Sequence, residues 1–145
     1  MVGPGAASYN ASEEPYANMG RVCQLADQKT IVVIDNDPGI LNALRRLLSA
    51  HGFVVLPFAS AESFLDNGST SSAHCLLLDI QLGGISGLEL ARKLKESGLS
   101  KPVIFMTAFD SELTRREAGQ LDCAGYLPKP YSAKTLMDAI GRAGT

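Results

Sequence analysis

A chain of 145 residues, 46% hydrophobic and 19% charged, has the length and composition of one globular domain and excludes a disordered polymer. The 13 Lys and Arg against 15 Asp and Glu leave a formal charge of −2, so no basic footprint for direct nucleic-acid contact is expected. No apolar run approaches the ~20 residues of a membrane span, no basic-then-apolar leader opens the chain, and Cys23, Cys75 and Cys123 lack metal-ligand spacing and read as reduced thiols of a cytoplasmic protein.

Residues 1–28 differ from the rest, and Met1 to Tyr16 is small, polar and Gly/Pro-containing, without apolar period. They predict a flexible tail, with at most a turn of helix near Met19 to Ala26; Met19 offers a second start of translation. From Thr30 the pattern becomes regular. Ile31-Val32-Val33-Ile34 is an apolar, β-branched run suited to a strand buried on both faces. Asp37-Pro38 then supplies a helix cap and a first-position proline. Ile40, Leu41, Leu44, Leu47 and Leu48 recur at helical spacing, and Gly52 stops that helix. Phe53 to Pro57 predicts a second strand. Ser60 caps a helix through Leu65, closed by Asn67-Gly68. Cys75-Leu76-Leu77-Leu78 predicts a third strand, ending at Asp79. Ser86 caps the next helix with Glu89 completing a capping box, and Gly98 ends it. Val103 to Met106 predicts the fourth strand. Asp110 or Ser111 caps a polar helix to about Gln120. Cys123 to Leu127 predicts the fifth strand, and Ser132 caps a last helix to about Ala143.

Five strands alternating with five helices predict an α/β fold, a doubly wound parallel sheet in the flavodoxin-like order 2-1-3-4-5. It would occupy residues 29–145, with no output domain after the last helix. In such sheets ligands bind at the carboxyl ends of the strands, at the switch point of strand order. Strand one ends in Asp35-Asn36-Asp37, strand three in Asp79, strand four in Thr107 and strand five near Lys129. Strands ~4.8 Å apart would set Asp35 and Asp79 across one crevice from each other. Clustered carboxylates call for a cation, and hard oxygen ligands with open positions suit Mg²⁺. The Thr107 hydroxyl and the Lys129 ammonium could then neutralise a phosphoryl group, for which Asp79 is a competent nucleophile. The Gln81-Leu82-Gly83-Gly84 loop can bend to bring the Gln81 backbone carbonyl to the metal.

These features come together in four segments: Val32-Val33-Ile34-Asp35-Asn36-Asp37, Leu77 through Gly87, Ile104-Phe105-Met106-Thr107-Ala108, and Gly125-Tyr126-Leu127-Pro128-Lys129-Pro130. Over Thr30 to Ala143 the chain resembles a response-regulator receiver domain, single-domain chemotaxis regulators included. The resemblance implies that Asp79 is the phosphorylated aspartate and Asp35 a metal ligand. It implies that Thr107 bonds the phosphoryl group, that Lys129 pairs with a phosphoryl oxygen, and that the Lys129-Pro130 bond is cis. Tyr126 matches the aromatic rotamer switch and Ala108 the small residue beside Thr107. The expected partners are a histidine kinase or histidine phosphotransfer protein, a downstream effector protein and, on activation, a second copy of the domain. The expected role is signalling, not enzymatic.

Two positions depart from the family pattern. Asn36 stands where a second acid usually binds Mg²⁺, so weaker metal binding is expected, with Asp37 a substitute only if it is not engaged as a helix cap. Gly83 stands where a loop proline is common, which predicts a more mobile loop. Two other readings compete. Asp35-Asn36-Asp37 also fits the first motif of haloacid-dehalogenase-type phosphohydrolases, but no acidic motif follows Lys129 except Asp138. Asn36 alone supports a pseudo-receiver that is never phosphorylated.

Overall fold

The computed structural model describes residues 28–70 and 72–143. The expected tail over residues 1–28, with its turn near Met19 to Ala26, lies almost wholly outside the described residues.

Five strands alternate with five helices: β1 Thr30–Ile34, α1 Pro38–Ala50, β2 Val54–Phe58, α2 Ala61–Asn67, β3 Ala73–Asp79, α3 Gly87–Glu96, β4 Val103–Thr107, α4 Glu112–Gln120, β5 Gly125–Pro128 and α5 Ala133–Ala143. The sheet order is β2-β1-β3-β4-β5 and every pairing is parallel, as the βαβ alternation requires. Residues alternate between two cores. Val32, Ile34, Leu76, Leu78 and Phe105 pack against Phe64, Leu90 and Leu94 of α2 and α3. Ile31, Val33, Cys75, Leu77, Ile104 and Met106 pack against Leu44, Leu48, Leu136 and Ile140 of α1 and α5. Both faces of the central strands are covered, which is why their sequence reads as unbroken apolar runs.

The helix signals act as expected. Asp37 caps α1, Ser60 caps α2, and Ser86 with Glu89 forms the capping box of α3. Ser111 caps α4, which leaves the Asp110 carboxylate for other partners. Gly52 and Gly98 turn the chain at φ +92° and +95°, a region glycine enters at no steric cost. Strand five starts two residues later than the apolar pattern implies, because Asp122 adopts φ +55° and turns the chain before pairing begins. Strand two runs one residue further, to Phe58; Pro57 is tolerated there because β2 is an edge strand. No described helix is long and apolar enough to cross a membrane.

Register places the candidate residues. Ile34 pairs with Leu78, so the next residue on each strand, Asp35 and Asp79, stand side by side above the β1–β3 switch point. Asp79 pairs with Met106 and Thr107 with Pro128, which brings Thr107 and Lys129 to the same edge of the sheet.

Candidate functional site

Three side chains from three strand ends meet, beside the end of β4 at Thr107. Lys129 Nζ lies 2.9 Å from Asp35 Oδ2 and 3.1 Å from Asp79 Oδ2, bridging the two carboxylates. Asp35 and Thr107 are fully buried and Asp79 nearly so. The Lys129 backbone N–H donates to the Thr107 carbonyl at 2.7 Å, and the Lys129-Pro130 peptide is cis.

The remaining carboxylate oxygens are held by the backbone. Asp35 Oδ1 accepts the Asp37 N–H at 2.9 Å and Asp79 Oδ1 accepts the Gln81 N–H at 3.0 Å. Asp37 itself is engaged as the α1 cap, its Oδ1 accepting from Gly39 and Ile40 N–H. Asn36 beside it is exposed.

Charge is unbalanced at the centre. Burial pushes the Asp79 carboxyl up, the Asp35 charge pushes it further, and the Gln81 N–H and Lys129 offset this only in part. Burial pulls the Lys129 ammonium down, but the hydrogen bonds and charges of Asp35 and Asp79 outweigh it, so its pKa is raised. Two carboxylates face one ammonium, and an added cation would relieve the excess. The acidic oxygens of Asp35 and Asp79 are hard ligands of the kind that suit Mg²⁺. The site holds two acids only: among the described residues no three His, Cys, Asp or Glu are grouped to hold a metal.

The loop after Asp79 is shaped by glycine. Gly83 sits at φ +85°, which the proline ring forbids, so the family's loop proline could not occupy this conformation. Gly84 lies against α2: an added Cβ would stand 2.6 Å from Glu62 Oε2, and that oxygen accepts the Ile85 N–H at 3.1 Å. Gly87 opens α3 directly under Asp79, where a Cβ would come within 2.3 Å of the Asp79 carbonyl oxygen.

Several contacts escaped the sequence. The Gln81 side-chain Oε1 accepts the Thr107 hydroxyl at 3.0 Å and the Ala108 N–H at 3.3 Å; only its backbone carbonyl was expected to matter. Tyr131, next to the cis proline, donates to Met106 Sδ at 2.9 Å, and burial, then the charges of Asp35 and Asp79, push its phenol up to about 12. The half-buried Tyr126 donates to Asp110 Oδ1 at 2.8 Å. Arg115 grips the same carboxylate through Nε at 2.8 Å and a terminal nitrogen at 2.6 Å, with its guanidinium 5.7 Å from the Tyr126 ring centre. Side-chain bonds at that range leave no periodic signal in a single sequence.

The model of the response regulator receiver domain matches residues 31–141. The transcriptional regulatory protein FixJ of Azorhizobium caulinodans is 35% identical over 108 residues, 74% of this chain and 51% of that protein. The transcriptional regulatory protein TdiR of Thauera aromatica is 32% identical over 114 residues, 79% of this chain and 50% of that protein. The BeF3-activated receiver domain of DrrB, a Thermotoga maritima protein, superposes with a TM-score of 0.72 at 26% identity, covering 79% of this chain and 96% of that one. The chain spans about half the length of the curated relatives it matches.

Proposed function

The chain belongs to the response-regulator receiver family of two-component signalling, and from that premise we propose that Asp79 accepts a phosphoryl group from the histidine of a kinase or phosphotransfer protein. The observation that carries this is the bridge of Lys129 between Asp35 and Asp79. Two carboxylates and a cation meeting at one strand-end crevice, next to the strand end that carries Thr107, support a phosphoacceptor role for Asp79.

An Asp79 carboxylate oxygen forms the new O–P bond while the P–N bond of the donor phosphohistidine breaks. The bonding pair returns to the imidazole nitrogen. Burial favours this because a desolvated carboxylate is a stronger nucleophile than a hydrated one. As the acyl phosphate forms, Lys129 can pair with a phosphoryl oxygen and Thr107 can donate to another. Mg²⁺, when bound through Asp35, Asn36, Asp79 and the Gln81 carbonyl, would neutralise the phosphoryl charge.

The charge added at Asp79 is read out through Thr107 and Tyr126. Ala108 leaves room for Thr107 to move inward. The face made by α4, β5 and α5 then changes its contacts with an effector protein or a second copy of the domain. The −2 formal charge favours protein partners over direct nucleic-acid contact for this domain, in keeping with a cytoplasmic, non-enzymatic signalling role.

The dehalogenase-type reading would make Asp35 the nucleophile. That reading leaves Asp79, buried beside it under the same Lys129, without a role. Transfer of labelled phosphate from a phosphohistidine donor to the wild type, Asp79→Asn and Asp35→Asn separates the two. Label should be lost with Asp79→Asn and reach the same residue, more slowly, with Asp35→Asn. Label that survives Asp79→Asn defeats the assignment.

A further inference from the structure

Gln81 approaches the site twice. Its backbone N–H holds Asp79 Oδ1 at 3.0 Å, and its side-chain oxygen holds both the Thr107 hydroxyl and the Ala108 N–H. A threonine hydroxyl has one proton to give. That of Thr107 goes to Gln81, while its oxygen accepts the Phe109 N–H at 3.0 Å. The donors presented at the end of β4 are thus both engaged by one neutral carbonyl oxygen from the loop that follows Asp79.

We propose that the Gln81 side-chain amide is a built-in stand-in for a phosphoryl oxygen, which must withdraw from Thr107 and Ala108 before a phosphoryl group on Asp79 can use those donors. This rests on the reading of Asp79 as phosphoacceptor. Gln81 acts through Thr107 and Ala108 and is therefore a positioning residue. It sets how readily the pocket accepts an oxyanion.

Two features make the exchange workable. Gln81 is half-buried on a loop continued by Gly83 at φ +85° and Gly84, so its side chain can leave without moving β3. A charged phosphoryl oxygen also forms stronger hydrogen bonds than a neutral amide oxygen, by roughly a factor of two, so the incoming group wins the competition. It wins by less than it would against open donors. Replacing the amide by a thioether of similar length, a weak acceptor, should open the pocket. Replacing it by a carboxylate should close it.

The test is the affinity of the full chain for beryllofluoride at saturating Mg²⁺, measured by calorimetry for wild type, Gln81→Met, Gln81→Ala and Gln81→Glu. Gln81→Met and Gln81→Ala should bind about three- to tenfold more tightly than wild type, as expected for release of two neutral hydrogen bonds, and Gln81→Glu more weakly. The Ala108 amide proton of unliganded Gln81→Met should move upfield by NMR, and the wild-type Gln81 carboxamide resonances should shift when beryllofluoride binds. Equal or weaker binding by Gln81→Met, or a wild-type carboxamide that does not respond, overturns this inference while leaving Asp79 as phosphoacceptor. Binding by none of the four proteins overturns the phosphoacceptor reading and this inference with it.

Discussion

Lys129 Nζ donates to Asp79 Oδ2 at 3.1 Å across a sequence separation of 50 residues, and the same ammonium holds Asp35 Oδ2 at 2.9 Å. Breaking a buried ion pair from one side leaves an uncompensated charge, at a cost of ~3–5 kcal/mol. Lys129 keeps 16% exposure, so a lower figure applies. Lys129→Met should lose about 2–3 kcal/mol of stability in metal-free buffer, and Mg²⁺ should restore part of it. Urea unfolding with and without Mg²⁺ measures both; equal midpoints for variant and wild type would contradict the bridge's structural role.

The raised pKa of Asp79 has a defined consequence for stability. A group that holds its proton more tightly when folded favours folding where it is protonated. For Asp79 that contribution is complete below the ordinary carboxylate value of 3.8 and is lost as pH rises through the raised value. Lys129 behaves likewise at the alkaline end: its contribution is complete below 10.5 and is lost as pH rises through its own raised value. Asp79→Asn should therefore be more stable than wild type at pH 7 without metal. The gap should close as pH falls below 3.8. Unfolding midpoints from pH 3 to 8 give the answer, and a gap independent of pH would count against burial of an ionised Asp79.

Gly87 shows how tightly α3 abuts the phosphoacceptor strand. A Cβ there would lie 2.3 Å from the Asp79 carbonyl oxygen and 3.0 Å from the Ile80 Cα, and backbone atoms cannot yield as a side-chain tip can. Gly87→Ala should cost about 1–3 kcal/mol and slow phosphorylation of Asp79 severalfold. Denaturation and acetyl phosphate kinetics test the two halves separately.

Much of this was legible in the sequence because it rests on local patterns. Apolar runs of four, such as Cys75 to Leu78 followed by the polar Asp79, mark strands and their carboxyl ends. Asp37-Pro38 and the Ser86–Glu89 box mark helix starts. Once the strand order follows from the βαβ alternation, Asp35, Asp79, Thr107 and Lys129 are brought together by the sheet itself. What was not legible depends on side-chain direction across loops. Whether Gln81 presents a carbonyl or an amide, whether Glu62 reaches Ile85, and whether Asp110 serves α4 or Tyr126 are settled by packing between elements far apart in sequence. The start of β5 at Gly125 is illegible for a similar reason: a left-handed Asp122 is invisible to apolar periodicity.

Asn36 is the site's main departure from its family. Asp37 Oδ1 is engaged at the α1 terminus. Asn36→Asp should raise Mg²⁺ affinity about tenfold or more, a gain of ~1.4 kcal/mol, because a carboxylate replaces a neutral amide next to a divalent ion. A Mg²⁺ titration followed by NMR decides it, and unchanged affinity would show that position 36 does not face the metal.

Tyr126 is tied to Asp110, whose carboxylate is held below the usual range first by Arg115 and then by the Tyr126 hydroxyl. If Tyr126 is the moving aromatic, that tie opposes its movement. Asp110→Ala should free the ring and shift the unphosphorylated Thr107 and Ala108 resonances toward their beryllofluoride-bound positions. Resonances that stay at wild-type positions would uncouple Tyr126 from Thr107.

The most direct test of the central claim is intact mass after incubation with acetyl phosphate and Mg²⁺. Wild type should gain the mass of one phosphoryl group, and Asp79→Asn should gain none. No added mass on the wild type at saturating donor and metal, or the same added mass on Asp79→Asn, would contradict the assignment of Asp79 as the phosphoacceptor.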